Sequence, residues 1–217
     1  MAEPLIGFES SAYSQHGEDG VIAEVLRRIG QEVELDRWCV EVGAWDGVLW
    51  SNTARLILEE DYSAVLIGGD QHRAAALTGA HPGHTVVGVG AFVGFEDDER
   101  LDAILSSTPA PTTFDLLSPK VVVIEYNPAI PNSVKFVQAR DPSVHHGTSA
   151  AALVGLAHGK GTCSLRWSRA ISYWSPTSTR TSSWARLGPL LPTCATTPSR
   201  FDTSSPDTTA HCSPARP

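Results

Sequence analysis

Apolar residues follow two different periods along the first 161 positions of the chain. Between residues 18 and 28 their spacing is that of a helix, and Gly30 is predicted to end it. Short apolar runs at 38–42, 64–68 and 85–89 predict strands. Further helices are predicted over 51–60, 71–78 and 98–106. This alternation of strands and helices predicts an α/β fold.

Two later apolar runs conflict with the geometry of a parallel sheet. Residues 114–118 and 121–126 both have the composition of strands, yet only Pro119 and Lys120 separate them. A crossover between parallel neighbours needs roughly ten or more residues. Either one of the two runs is not a strand, or a crossover helix has been lost.

The composition changes abruptly after residue 161. Residues 1–161 carry 22 acidic and 10 basic residues, a net charge of −12, and contain all 18 valines. Residues 162–217 carry 2 acidic and 6 basic residues, a net charge of +4, and contain no Val, Lys or Glu. The sequence therefore predicts a body over 1–161 and a distinct Ser/Thr/Pro/Arg-rich tail over 162–217.

Two explanations of the tail stay open. A Ser/Thr/Pro-rich composition is typical of a disordered linker or interaction tail. The alternative, which we favour, is translation of a GC-rich gene in a shifted frame. Tyr173 and Trp174 require the codons TAY and TGG, and one shifted frame across them always reads Leu. Over residues 170–175 that frame permits Asn-Leu-Val-Leu-Val, which has the composition of a terminal strand.

Charge and residue spacing disfavour several kinds of protein. The net charge of −8 disfavours a protein that coats nucleic acid. No apolar run approaches the roughly 20 residues that cross a bilayer, and the start of the chain lacks signal-peptide features. We therefore expect no membrane partner and a cytoplasmic location. Neither the cysteines nor the histidine pairs at 81/84 and 145/146 have metal-ligand spacing, so no metal site is expected.

The segment around the first predicted strand carries the clearest chemical signal. Its apolar run includes Glu41, and Gly43 and Gly47 then bracket a turn. Glycines accept positive φ and let the backbone approach a ligand closely. The next helix, with Ser51 or Asn52 as its predicted N-cap, offers free N–H groups. The pattern indicates a cofactor loop, with an ordinary strand–loop–helix corner as the open alternative, because a full G-x-G-x-x-G is absent.

Two later strand ends also carry acids. Asp70 follows the second strand about 20–30 residues past the glycine turn, where a ribose hydroxyl is usually held. Glu125, Tyr126 and Asn127 leave the end of a later apolar run together, at a position where open α/β sheets bind ligands. The simpler alternatives are a solvated aspartate and an asparagine that caps a turn before Pro128.

Several short motifs together resemble the FkbM-like family of S-adenosylmethionine-dependent methyltransferases. The resemblance covers roughly residues 10–161 and implies a Rossmann-like sheet, S-adenosylmethionine as cofactor, and O-methylation of a small molecule or glycan. The matching motifs are Tyr13-Ser14-Gln15-x-Gly17-Glu18-Asp19, Val40-Glu41-Val42-Gly43-Ala44-x-Asp46-Gly47, Ser51-Asn52-Thr53, Val65-Leu66-Ile67-x-Gly69-Asp70, Val123-Ile124-Glu125-Tyr126-Asn127 and Gly147-Thr148-Ser149.

The resemblance also implies roles for individual residues. Gly68 stands where such proteins tend to carry Glu, so the ribose contact would fall to Asp70. Glu125 is a weak candidate for a catalytic residue. The residues implied to line the cofactor are Glu41, Gly43, Asp46 and Gly47 on the methionine side, with Gln15 and Glu18 closing over it.

The sheet is expected to be incomplete, as in a truncated member of this family. Residues 114–118 run straight into Pro119, where such proteins carry an acidic strand end and then a helix. A catalytically inactive remnant or binding protein of the same fold is therefore the main alternative. A nicotinamide-dependent oxidoreductase is a weaker one, because it would need a fuller glycine motif. Neither the methyl acceptor nor the oligomeric state follows from the sequence.

Overall fold

The computed structural model describes residues 5–94, 96–108, 119–139, 141 and 143–159. Strands and helices alternate along its first half. In chain order the elements are a 3-10 helix Leu5–Phe8, α1 Glu18–Ile29, β1 Trp38–Val42, α2 Ala54–Glu60, β2 Ser63–Gly68, a 3-10 helix Gln71–Arg73, α3 Ala74–Gly79, β3 Val86–Gly90, α4 Leu101–Ser106 and α5 Ala150–Gly159.

The three strands form one parallel sheet in the order β1–β2–β3. In this register Val40 lies beside Val65, which lies beside Val87. The connection from β1 to β2 contains α2, and the connection from β2 to β3 contains α3, as the crossovers between parallel neighbours require. The α/β prediction is therefore confirmed as helices around a small parallel sheet.

Helices cover both faces of the central strand. Successive residues of a strand point to opposite faces of the sheet. On one face Leu66 packs with Ile57 of α2 and Leu77 of α3. On the other face Val65 and Ile67 pack with apolar residues of α4. Burial on both faces explains why β2 is a continuous apolar run in the sequence.

A third cluster fixes α1 to this sheet. The apolar residues of α1 pack against Leu56 of α2 and Tyr62, which precedes β2. Burial raises the pKa of the Tyr62 phenol to about 12, so the group stays neutral inside the cluster. The α1 residues that take part are Val21, Ile22, Val25 and Ile29.

The first three predicted strands and α1 are confirmed with bounds that shift by at most one residue. The helix predicted from residue 51 begins at Ala54, with Thr53 at the N-cap position. Ser51 still contributes, because its Oγ accepts the N–H of Ala54 at 2.9 Å. The helix predicted over 98–106 is shortened to α4, and the one predicted over 71–78 divides into a 3-10 turn and α3.

The strand predicted over 121–126 is wrong. These residues form no strand, and no described strand pairs with the second edge of β1. Val121 and Val123 are partly buried against the α1 cluster, so the apolar run is used in packing without a hydrogen-bonded neighbour. This result agrees with the geometric conflict in the sequence. The predictions for 114–118 and 162–217 lie outside the described residues.

Two arginines hold Glu24 on α1 in its ionised form. Its carboxylate accepts hydrogen bonds from Arg27 Nε at 2.6 Å and from Arg28 Nε at 2.6 Å, and the Glu24 side chain is buried. The bond from Arg27 is the largest cause that lowers the pKa of Glu24 to about 2. These bonds tie the middle of α1 to its last turn.

We expect the Glu24→Gln variant to lose a pH-dependent part of the stability. A carboxyl group whose pKa is lowered by folding stabilises the fold fully above about pH 4.5, and this stabilisation is lost as the pH falls towards about 2. From about pH 6 to about pH 3, the free energy of unfolding of the wild type should fall by on the order of 1–2 kcal/mol more than that of the variant. Solvent screening of the exposed Arg27 keeps the difference this small. Urea denaturation at both pH values measures this.

Glu59→Gln is the matched control for this prediction. Glu59 and Arg55 pair on α2 at 3.2 Å, but the Glu59 side chain is 47% exposed. Its replacement should change the free energy of unfolding by less than about 0.5 kcal/mol. An equal pH dependence in the wild type and in Glu24→Gln would contradict the role of the buried pair.

Candidate functional site

The carboxyl ends of the three parallel strands lie together on one side of the sheet, which is where open α/β sheets bind ligands. After β1 the chain forms a loop over residues 43–50, which we call the glycine loop. After β2 it turns through Gly69 and Asp70. Exposed apolar side chains occupy the segments that leave the strands: Val42, Trp45, Leu49, Trp50, Phe92 and Val93.

Glu41 closes the base of the glycine loop. Its Oε2 accepts hydrogen bonds from Ser51 Oγ at 2.6 Å and Thr53 Oγ1 at 2.7 Å. Its Oε1 accepts the backbone N–H of Asn52 at 2.9 Å. The resemblance implies a cofactor contact for Glu41, whereas both of its oxygens here bind the segment that leads into α2. These bonds fix the shape of the loop, and the cofactor contact of Glu41 stays a prediction.

The two loop glycines differ in what surrounds them. Gly43 and Gly47 adopt positive φ of 82° and 79°. The N–H groups of Gly43 and Ala44 donate to Ile67 O at 2.8 and 3.0 Å, which ties the loop to β2. Among the described residues other than Gly43 and its two neighbours, no atom lies within 4 Å of the place that a Cβ on Gly43 would take, so a ligand can approach this backbone. At Gly47 such a Cβ would meet Leu66 at 3.2 Å.

Asp46, which lies between these two glycines, shapes the turn that follows it in the glycine loop. Its Oδ1 accepts the N–H groups of Val48 at 2.9 Å and Leu49 at 2.7 Å. The bond from Val48 is the largest cause that lowers the pKa of Asp46 below its usual value. Both of these bonds go to Oδ1, and the Asp46 side chain is exposed. The loop therefore presents a carboxylate that a ligand can reach.

Arg73 brings the ends of β1 and β2 together. Its guanidinium carbon lies 3.7 Å from the centroid of the Trp45 ring, and its Nε lies 3.5 Å from Asp70 Oδ2. It also contributes to the lowered pKa of Asp46. We call Trp45, Asp46, Asp70 and Arg73 the edge cluster. Sequence analysis missed Arg73, although its spacing of three residues from Asp70 on a helical turn was an available signal.

Asp70 itself is exposed, and part of its carboxylate is used locally. Its Oδ1 accepts the N–H of His72 at 2.9 Å, which begins the 3-10 turn after β2. The simpler alternative of an ordinary loop aspartate thus accounts for one oxygen. The other oxygen faces Arg73, so Asp70 also belongs to the edge cluster.

His81 is the second residue that sequence analysis missed. Its side chain is 1% exposed, and its Nε2 lies 2.8 Å from the carbonyl oxygen of Gly47. Sequence analysis considered His81 only as a pair with His84 for metal binding and assigned it no role. No local pattern could have shown this contact, because the two residues lie 34 positions apart.

Gln15 lies in the turn before α1, and Glu18 is the first residue of that helix. Glu18 is buried, and its Oε2 accepts the N–H of His16 at 2.6 Å. Asp19 Oδ2 accepts three backbone N–H groups, from residues 12, 13 and 14, which fixes the turn on the helix. Gln15 is exposed. Within the described residues neither Gln15 nor Glu18 hydrogen-bonds to the glycine loop.

Glu125 is exposed and precedes a second feature of the structure, an apolar cavity. Asn127 Nδ2 donates to His146 O at 2.8 Å, and its backbone N–H donates to Thr148 O at 3.0 Å. These bonds join two chain segments beside a cavity of about 310 Å³. The cavity is lined by Asn127, Ile130, Val134, Phe136 and His146.

Comparison with protein-family models, with curated proteins and with solved structures finds no match for this chain. Within the described residues no group of three or more His, Cys, Asp or Glu side chains is placed to hold a metal ion. No helix in the described part of the chain is long and apolar enough to span a membrane. The site therefore has to be interpreted from its own geometry and from the resemblance of its motifs.

We expect Glu41→Gln to destabilise the fold by on the order of 1–3 kcal/mol. An amide keeps one acceptor oxygen and would direct its NH₂ group at partners that donate to Glu41. Ser51 Oγ cannot compensate by accepting, because it already accepts the N–H groups of Thr53 and Ala54. Urea denaturation of the wild type and the variant at neutral pH measures the loss.

Glu32→Gln serves as the control, since Glu32 is exposed and its side chain has no hydrogen bond among the described residues. It should change the free energy of unfolding by less than about 0.5 kcal/mol. If Glu41→Gln cost no more than this control, the carboxylate would not hold the loop.

Proposed function

We propose that the chain is an S-adenosylmethionine-dependent methyltransferase of the FkbM-like kind, with a Rossmann-like sheet, that methylates a hydroxyl group. The edge cluster is the observation that carries this proposal. Arg73 stacks on the exposed Trp45 ring, pairs with Asp70 after β2, and acts electrostatically on Asp46 in the loop after β1. Ligands of open α/β sheets bind at this edge. The motif resemblance over residues 10–161 supports the same assignment.

The edge cluster fits the chemistry of this cofactor. S-adenosylmethionine carries an ammonium, a sulfonium, a carboxylate and two ribose hydroxyls. Asp46 and Asp70 supply acceptors for its cations and hydroxyls, and Arg73 supplies a cation for its carboxylate. The open backbone at Gly43 lets such a ligand approach the end of β1 without a steric clash.

The residues of the chain would act mainly by binding and orientation. The cofactor supplies an electrophilic methyl group. Catalysis of such a transfer rests largely on holding the acceptor oxygen in line with that group. A carboxylate near the acceptor hydroxyl can take its proton, and Glu125, which is exposed, is our candidate for this role.

The apolar cavity favours a small neutral acceptor over a glycan. Ile130, Val134 and Phe136 are three of its five described lining residues, and none of the five is Lys, Arg, Asp or Glu. Its volume of about 310 Å³ is at the lower end of the range for small-molecule pockets, about 300–1,000 Å³, and it opens widely to solvent. Glu125 lies two residues before Asn127, another lining residue, so the candidate base and the acceptor would share one chain segment.

A catalytically inactive remnant or binding protein of the same fold is the second candidate. It is favoured by the second edge of β1, which no strand in the described part of the chain covers. Edge strands without a partner are a liability for a stable sheet. Gly68, in the place of the acidic residue that holds the ribose in the family, points the same way.

Calorimetric titration separates these proposals. We expect the wild type to bind S-adenosylhomocysteine and not to bind NAD. Trp45→Ala should weaken this binding about fivefold or more. It removes the contact between the Trp45 ring and Arg73 that holds the edge cluster together, and such an exposed cation–π contact is worth on the order of 1 kcal/mol. Binding of neither ligand would favour the remnant, and binding of NAD alone would favour an oxidoreductase.

Trp50→Ala is the matched control for the role of Trp45. Both tryptophans lie in the glycine loop and are about equally exposed, at 62% for Trp50 and 60% for Trp45. The Trp50 ring contacts no cation among the described residues. Equal losses of affinity in both variants would indicate a general effect on the loop and would contradict a specific role for the edge cluster.

A further inference from the structure

His81 connects the turn between α3 and β3 to the middle of the glycine loop. Its Nε2 lies 2.8 Å from Gly47 O, and its side chain is almost completely buried. The same nitrogen lies 3.3 Å from the place that a Cβ on Gly47 would take. The loop therefore rests on the imidazole through both a hydrogen bond and close packing.

The hydrogen bond requires a proton on Nε2. A carbonyl oxygen can only accept, so Nε2 must donate, and Nδ1 of the neutral ring is left as an acceptor. Nδ1 is buried and has no hydrogen-bond partner among the described residues. A buried polar atom without a partner is unfavourable, and an apolar side chain would avoid that cost. Packing alone therefore explains His81 poorly, whereas donation to Gly47 explains it.

The ends of the glycine loop are held in other ways. Its first residues, Gly43 and Ala44, donate to Ile67 O at the end of β2. Its last residues lead into the segment that Glu41 binds. The middle of the loop is then held by the buried bond from His81 and by the exposed stacking of Arg73 on Trp45. Of these two contacts, only the bond to His81 is shielded from water.

We propose that His81 is a positioning residue of the cofactor site. By holding the Gly47 carbonyl, it sets the orientation in which Trp45 and Asp46 meet the ligand. The identity of that ligand rests on the proposed function, but the placement of the loop can be measured without any ligand. The side chain acts through the loop and does not itself contact the ligand.

Three variants separate the donor from the bulk of the ring. The amide nitrogen of Gln reaches about as far from the backbone as Nε2, so His81→Gln keeps a donor to Gly47 O. The shorter side chain of His81→Asn ends near the place of Nδ1, and His81→Leu has no donor. If His81→Leu does not fold, the comparison of Gln with Asn still tests the proposal.

Amide hydrogen exchange without ligand is the first measurement. The N–H groups of Val48 and Leu49 depend on the turn that includes Gly47. They should exchange about fivefold faster or more in the Leu and Asn variants and close to the wild-type rate in Gln, as loss of one hydrogen bond implies. The N–H groups of Gly43 and Ala44, which β2 holds, should be unchanged in all variants.

Affinity for S-adenosylhomocysteine is the second measurement. It should fall about fivefold or more in the Leu and Asn variants and recover in Gln. His84→Leu is the control, because His84 lies in the same turn but faces Asp61 at 3.7 Å, and it should alter neither readout. Equal exchange in Gln and Asn, or unchanged exchange in both Asn and Leu, would overturn the role of His81. Failure of the wild type to bind would overturn the proposed function and leave the exchange result intact.

Discussion

The candidate site depends on the carboxylate of Glu41. Hydrogen bonds to an ionised acceptor are stronger than those between neutral groups, and Glu41 accepts three of them from the residues before α2. These bonds hold the end of β1 close to the start of α2. The glycine loop, which connects the two, must therefore reverse direction over residues 43–50. Positive φ at Gly43, Gly47 and even Trp50, at 58°, lets it do so. Trp50 is strained in this conformation, and the bonded Ser51 beside it helps to keep it there.

The second constraint on the loop comes from β2 and the crossover that follows it. Ile67, the last buried residue of β2, accepts two N–H groups from the start of the loop. The crossover after β2 then contacts the loop twice: Arg73 stacks on the Trp45 ring, and His81 hydrogen-bonds to Gly47 O. The loop after β1 is therefore shaped chiefly by residues that lie outside it.

Features set by local sequence could be predicted, whereas contacts between distant residues could not. The strands were predictable because a strand buried on both faces is a continuous apolar run, as β2 shows with Val65 to Ile67. The glycine loop was predictable because positive φ favours glycine. The partners of Glu41 could not be predicted, since an acid at a strand end fits a ligand contact as well as a bond to Ser51 or Thr53. His81 was not, because its contact spans 34 positions. The run at 121–126 misled because apolar content does not supply a hydrogen-bonded neighbour.

The position of these contacts bears on whether the chain is an enzyme or a remnant. The bonds that shape the glycine loop and the edge cluster all lie within residues 41–81, on β1, β2 and their crossovers. The edge of β1 that no described strand covers lies on the other side of that strand from β2. A sheet that is incomplete beyond that edge therefore keeps the parts that would bind a cofactor. On the proposed function, what it would lose first is the acceptor side, where Val121 and Val123 pack without a described strand neighbour. Cofactor binding and methyl transfer would then be physically separable, and retention of the first would not imply the second.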